Sequence, residues 1–145
     1  MRIIELTNEY KEKTIKLIID VAIEEYGFHE WRDEALSFEN EFYINNNGNC
    51  WIAIEQEEVV GTISLRKIDN NIGEVKNLYV HSKYRKQKIA QLLLDKLIDF
   101  SVKNGYSKLQ LDTYDKFEHA INFYHKNGFE RIHTINDMHI YNKLL

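Results

Sequence analysis

The chain has 145 residues, 43% of them hydrophobic and 29% charged, with a formal net charge of −4. That length suits one continuous core and a single domain over residues 1–145, and the acidic balance excludes the broad basic surface that a nucleic-acid binder needs. The lone Cys50 cannot form an internal disulfide, and no stretch reaches the apolar length of a signal-peptide core or a membrane span, so the expectation is a cytoplasmic protein with no membrane partner.

The periodicities read as follows in chain order. "RIIELT" is a first strand, and Thr7 is placed to cap a helix from about Glu9 to Glu25, which Gly27 ends. A second helix runs from Asp33 to about Ile44 and closes in the turn residues Asn45 to Gly48. "CWIAIEQ" and "VVGTISLRKI" flank the short Glu57-Glu58 turn as a hairpin, and Asp69-Asn70-Asn71 turns the chain into a third strand, "GEVKNLYVH". Ile89, Leu92, Leu93, Leu97 and Phe100 recur at helical spacing up to the stop at Gly105. "KLQLDT" alternates as a strand; Phe117, Ala120, Ile121 and Tyr124 mark a last helix before Gly128; "FERIHTI" and "MHIYNKLL" form a closing hairpin. The order β-α-α-β-β-β-α-β-α-β-β is an α/β (mixed α+β) architecture. Its strand–helix–strand unit places a parallel pair inside a mostly antiparallel sheet of about seven strands with four helices.

The segment "YRKQKIAQLLL" puts Arg85, Lys86 and Lys88 just where the helical pattern begins. A helix opening directly after a strand presents unpaired N–H groups and the positive end of its dipole, an anion site that phosphates commonly fill. The alternative is that these cations simply face water.

Two stretches then carry a family resemblance. "LYVHSKYRKQKIAQLLLDKL" (Leu78–Leu97) and "LDTYDKFEHAINFYHKNGFE" (Leu111–Glu130) resemble the GNAT superfamily of N-acetyltransferases, and the element order resembles it over nearly the whole chain. The first is similar to the family's strand, pyrophosphate loop and helix, with signature Arg/Gln-x-x-Gly-x-Gly/Ala; the second is similar to its helix ending Phe-Tyr-x-x-x-Gly-Phe, here Phe123, Tyr124, Gly128 and Phe129. Arg85 and Ala90 match the ends of the signature, whereas Lys88 replaces its glycine and Lys86 fills another position that is commonly glycine. As part of a helix's first turn, these lysines are expected to have ordinary helical φ and to leave phosphate binding intact.

The resemblance implies acetyl-CoA as co-substrate, held by Arg85, Lys86, Gln87, Lys88, Ile89 and Ala90, with the backbone of Leu78, Tyr79 and Val80 along the pantetheine arm and supplying the oxyanion donor. It implies Tyr124 as proton donor to the leaving thiolate, against a purely packing role in an apolar helix face. Transfer to an amine also needs a base, because an alkylammonium has a pKa near 10.4. Glu74 on "GEVKNLYV" is the candidate, with an exposed strand glutamate or a pair with Lys76 as the alternative. Tyr26, Phe28, His29 and Trp31 are the implied acceptor pocket, with acidic residues nearby that can attract a cationic amine.

The six histidines lack zinc-ligand spacing, so no metal is expected. No G-x-S-x-G elbow, Walker loop or dinucleotide glycine pattern is present. The reading is acetyl transfer from acetyl-CoA to a primary amine of a small molecule or peptide, by a monomer or homodimer. The alternatives are a non-catalytic acyl-CoA-binding or regulatory module and a structural interaction domain.

Overall fold

A computed structural model describes residues 1–145. Its strands are β1 (Arg2–Glu5), β2 (Asn49–Glu55), β3 (Glu58–Lys67), β4 (Ile72–Val80), β5 (Lys108–Tyr114), β6 (Glu130–Ile135) and β7 (Met138–Leu144). They form one seven-stranded sheet in the order β1-β2-β3-β4-β5-β7-β6. Every pairing is antiparallel except β4 with β5, the parallel pair expected from the crossover.

The helices are α1 (Lys11–Ile18), α2 (Arg32–Leu36), α3 (Asn40–Asn45), α4 (Ile89–Lys103) and α5 (Glu118–Lys126). There are five rather than four because the expected Asp33–Ile44 helix is broken at Ser37–Glu39, where Glu39 is extended at φ −140°. A continuous helix would put Ala35, Phe38 and Phe42 on one face; the break lets Phe38 enter the core and leaves Phe42 exposed. The first helix also departs from expectation. Thr7 makes no side-chain cap, its carbonyl instead accepting from the Tyr10 amide at 3.0 Å, and α1 widens into a π-helical stretch over Ile19–Glu25 before Gly27 ends it at φ +79°. The widening keeps three successive residues, Val21, Ala22 and Ile23, buried.

Two apolar layers sandwich the sheet. On one face Trp51, Ile63, Leu65, Val75, Leu109 and Leu111 pack under Ile89, Leu93, Leu94 and Leu97 of α4. On the other, Cys50, Ile52, Ile54 and Val59 meet Ile15, Leu17, Ile18 and Val21 of the first helix. Leu92, expected inside, is 41% exposed, and Leu94 takes the inward position.

The contact that fixes the start of α4 is at Gly61 on β3. A Cβ there would lie 2.9 Å from Ile89 Cγ2 and 3.1 Å from Leu93 Cδ1, so only glycine lets the first turn of α4 sit flush on the sheet. Gly61→Ala is expected to lower stability by about 1–3 kcal/mol through overpacking, read as a lower urea midpoint; an unchanged midpoint would show that α4 yields freely.

Candidate active site

β4 and β5 pair only over Ile72↔Lys108, Gly73↔Leu109 and Glu74↔Gln110, although each strand continues for several residues. Beyond that row they separate. Asn77 adopts a left-handed φ of 57°, a conformation asparagine tolerates better than most side chains. The β3–β4 register shifts beside it, between Thr62 and Ser64, as at a β-bulge, which bends the bulged strand. A cavity of about 550 Å³ opens between the diverging strands. Val75 to Tyr79 line it on one side and Asp112, Thr113 and Tyr114 on the other, with Tyr124 and Phe117 beyond and α2–α3 residues closing it.

At the end of β4 the chain turns into the basic loop. No carbonyl or side chain of the protein accepts a hydrogen bond from the amides of Arg85 to Gln91; the first helical bond is Leu92 N–H to Lys88 O, at 3.0 Å. Lys86 and Lys88 both have left-handed φ, 67° and 62°, and α4 begins only at Ile89. The expectation of ordinary helical φ at these lysines is therefore corrected: Lys88 precedes the helix as its N-cap residue, and Lys86 lies two residues earlier. Alternation through left-handed residues turns successive N–H groups toward one concavity, an anion-binding nest. All three of Lys86, Gln87 and Lys88 are exposed, while Ile89 is buried under the sheet and Ala90 is half-buried.

Arg85 does not reach into that concavity. Its guanidinium makes a bidentate pair with Glu25, Nη1 to Oε1 and Nη2 to Oε2 (the latter 2.7 Å), while Nε donates to Val80 O at 3.3 Å. It also lies 5.9 Å from the Tyr26 ring centroid. The side chain thus braces the loop against the end of the first helix.

Tyr124 is 7% exposed and lines the cavity, and its hydroxyl bonds to no protein group. Burial, then the nearby Tyr79 and Asp112, push its phenol well above the usual range, and Tyr79 is raised for the same first reason. Tyr43, also on the wall, is pushed up to about 12 by burial. Leu78 and Val80 pack toward the α4 layer, and Tyr79 toward the α1 layer.

Glu74 lies elsewhere. Its carboxylate oxygen Oε1 accepts from Nε of Arg66 at 2.8 Å and forms an ion pair with Nη2 at 2.8 Å, across the register pair Arg66↔Glu74, rather than pairing with Lys76. It is buried and absent from the cavity wall, which Lys76 does line.

Of the four expected acceptor-pocket residues, Trp31 lines the cavity. Phe28 backs it, stacking on Trp31 at 4.1 Å and on Phe117 at 5.2 Å. Tyr26 packs on Phe117 behind the wall, and His29 is exposed away from it. The wall also contains Glu34, one of the acidic residues expected beside the acceptor pocket, and two residues that the sequence did not single out, Asp112 and Tyr114. Their signal was the alternation of β5, which puts Asp112 and Tyr114 on one face, but no pattern in the residues marks where two strands part. Cys50 is fully buried, accepts from Ser64 Oγ at 3.2 Å, and has its thiol pushed up to about 12 by burial, so it is an inert structural group. No helix is long and apolar enough to cross a membrane.

Left-handed lysines are unfavourable relative to glycine. Lys86→Gly and Lys88→Gly are each expected to raise stability by up to about 1 kcal/mol, read as an increased urea midpoint; a decrease would place the ammonium in a stabilising contact.

Comparison with known proteins adds the following. The family profile described as "Acetyltransferase (GNAT) family" matches residues 7–129. A Xenopus tropicalis N-acetylaspartate synthetase is 30% identical over 97 residues, 66% of this chain but only 36% of that protein, so the chain spans about a third of that relative's length. The crystal structure of a GNAT-family acetyltransferase from Staphylococcus aureus Mu50 superposes with a TM-score of 0.86 at 31% identity, covering 99% of this chain and 98% of that one. The PaiA N-acetyltransferase of Thermoplasma acidophilum, solved in complex with coenzyme A, shares the fold with a TM-score of 0.80 at 22% identity, covering 99% of this chain and 98% of its own.

Proposed function

Starting from a chain that belongs to the acetyltransferase (GNAT) family, we propose that it transfers the acetyl group of acetyl-CoA to a primary amine of a small molecule or peptide, by direct attack in a ternary complex. The observation that carries the reading is the splay of β4 from β5, with a loop of unpaired amides at the end of β4 and Tyr124 inside the resulting cavity. The coenzyme A bound to the Thermoplasma protein of like fold supports it.

In this reading the amides of Lys86 to Gln91 take the pyrophosphate, and the exposed Lys86 and Lys88 ammonium groups add positive charge over it. Arg85 holds the loop in place through Glu25 instead of touching phosphate. The amide-bearing pantetheine arm lies against Leu78, Tyr79 and Val80, where the β4 edge has lost its strand partner. That edge also offers an N–H to the oxyanion that forms as the thioester carbonyl is attacked.

The chemistry balances without a covalent enzyme intermediate. The acceptor ammonium loses a proton, its nitrogen lone pair bonds to the acetyl carbon, and the C–S bond breaks with its electron pair leaving on sulfur. A second proton lost from nitrogen equals the one the thiolate gains, so one proton is released overall. Tyr124, raised above the ordinary phenol value near 10, remains an O–H at neutral pH. A phenol is a weaker acid than a thiol, so its contribution is a hydrogen bond to the developing thiolate, with complete proton transfer following departure.

Acetyl-CoA is expected to raise the melting temperature. Tyr124→Phe should lower kcat by roughly 10- to 100-fold while leaving acetyl-CoA affinity within about twofold, the range set by loss of one charge-assisted hydrogen bond. Because the phenol pKa is raised, wild-type kcat should show no descending limb from Tyr124 below pH 10. No thermal shift at millimolar acetyl-CoA would sink both the enzymatic reading and a non-catalytic CoA-binding one; a shift without thiol release on any amine would favour the latter.

A further inference from the structure

The reading above leaves open which group receives the acceptor's ammonium. We propose that Asp112 does: it holds the ammonium against the thioester and takes its first proton, an inference that rests on the acetyl-transfer reading. Asp112 lies two residues beyond Gln110, the last β5 residue paired with β4, and on the same face of the strand. It is therefore the first side chain on that face once the strands have parted, and it lines the cavity.

Its surroundings separate it from the two other carboxylates of the β-sheet edge and cavity that are already paired. Glu74, one paired row earlier, is taken up by Arg66. Glu39 lines the cavity but is bound by Lys11 at 2.7 Å. Glu34 lines it from α2 and, like Asp112, has no ion pair, but it stands on a helix rather than on either of the two strands that part. Asp112 is exposed to the cavity, with no hydrogen bond or ion pair to any protein group. Asp112 shares the cavity wall with Tyr79, Tyr114 and Tyr124, and its charge helps raise all three, after burial and, at Tyr79, after the charge of Glu34.

The groups facing Asp112 are thus Tyr79 and Lys76 from β4, Tyr114 from its own strand, Tyr124 from α5 and Glu34 from α2. Its partner across β7 is the apolar Ile140, flanked on that face by Met138 and Asn142. Tyr124 brings a hydroxyl without a protein partner to the same cavity, and it and Asp112 would bracket the reaction, one at the departing sulfur and the other at the arriving nitrogen.

A carboxylic acid is several pK units more acidic than an alkylammonium, so Asp112 does not keep the proton. The N–H bond breaks toward the carboxylate, the lone pair it leaves is the nucleophile, and the proton passes to solvent through the open side where Asp112 is exposed. The larger effect is on binding, since an ammonium–carboxylate hydrogen bond fixes both the charge state accepted and the direction of the lone pair.

The test is thiol release with n-butylamine, 1,4-diaminobutane and a tripeptide with a free N-terminus, for wild type, Asp112→Asn, Asp112→Glu and Glu74→Gln, with melting temperatures to confirm folding. Asp112→Asn is expected to raise the amine KM on the order of 10- to 100-fold with the acetyl-CoA KM unchanged, and Asp112→Glu to recover part of the loss. An unchanged amine KM in a folded Asp112→Asn protein overturns the inference, as does an amine-specific loss in Glu74→Gln alone. Acetyl-CoA binding without turnover of any amine overturns the transfer reading and this inference together, whereas turnover by Asp112→Asn at the wild-type amine KM overturns this inference only.

Discussion

β4 and β5 hydrogen-bond over three residue pairs and then diverge, and the rest of the molecule is arranged around that divergence. A buried strand edge that loses its partner carries unpaired N–H and C=O groups, which are costly unless something else satisfies them. The fold limits that cost by keeping β4 paired to β3 as far as Val80 and β5 paired to β7 as far as Tyr114, so each strand exposes only its inner edge. A left-handed Asn77 lets β4 turn away while remaining in the sheet. The result is a slot with backbone donors and acceptors on its walls, suited to an extended ligand arm that carries amides of its own.

The loop at the end of β4 depends on the same geometry. α4 can start close to the sheet because Gly61 has no side chain, and its first turn then points unpaired amides back toward the end of the slot. Two left-handed lysines are a strained way to build that turn. The Arg85–Glu25 pair and the Val80 carbonyl offset the strain by fixing the loop from outside, with both charged side chains about one-third exposed and so only partly screened. The brace joins the loop to the end of the π-helical stretch, whose following aromatics back the cavity wall. Phosphate site and acceptor side are thereby held in one frame.

Much of this was legible in the residues. The strand count, the single parallel pair and the presence of α4 followed from period-2 and period-3.6 patterns and from the turn chemistry at Glu57-Glu58 and Asp69-Asn70-Asn71. Three features were hidden. The left-handed φ of Lys86 and Lys88 could not be read because lysine does not announce that conformation as glycine does. The break at Ser37–Glu39 was masked by continuous helical spacing, and the structure resolves it by burying Phe38 on its own. The partner of Glu74 was missed because Lys76, two residues away on the same strand, was the nearer choice in sequence, whereas cross-strand register brings Arg66 directly opposite.

That register also explains why two carboxylates on the same sheet face have different chemistry. Glu74 sits in the last row where three strands are joined, so it is buried and can persist as an anion only with a partner; Arg66 supplies a hydrogen bond and an ion pair to one of its oxygens. Asp112 stands past the point of separation, where the cavity replaces a neighbouring strand and no protein cation pairs with it. An unpaired carboxylate is stable there only because it is exposed to the opening, and the same opening admits a ligand. Three tyrosines near it are raised by burial and by its charge, so the cavity retains hydroxyl donors beside the unpaired carboxylates of Asp112 and Glu34. A site so arranged favours a cationic acceptor at the carboxylate and a developing anion at the hydroxyls, the charge pattern of an ammonium approaching a thioester.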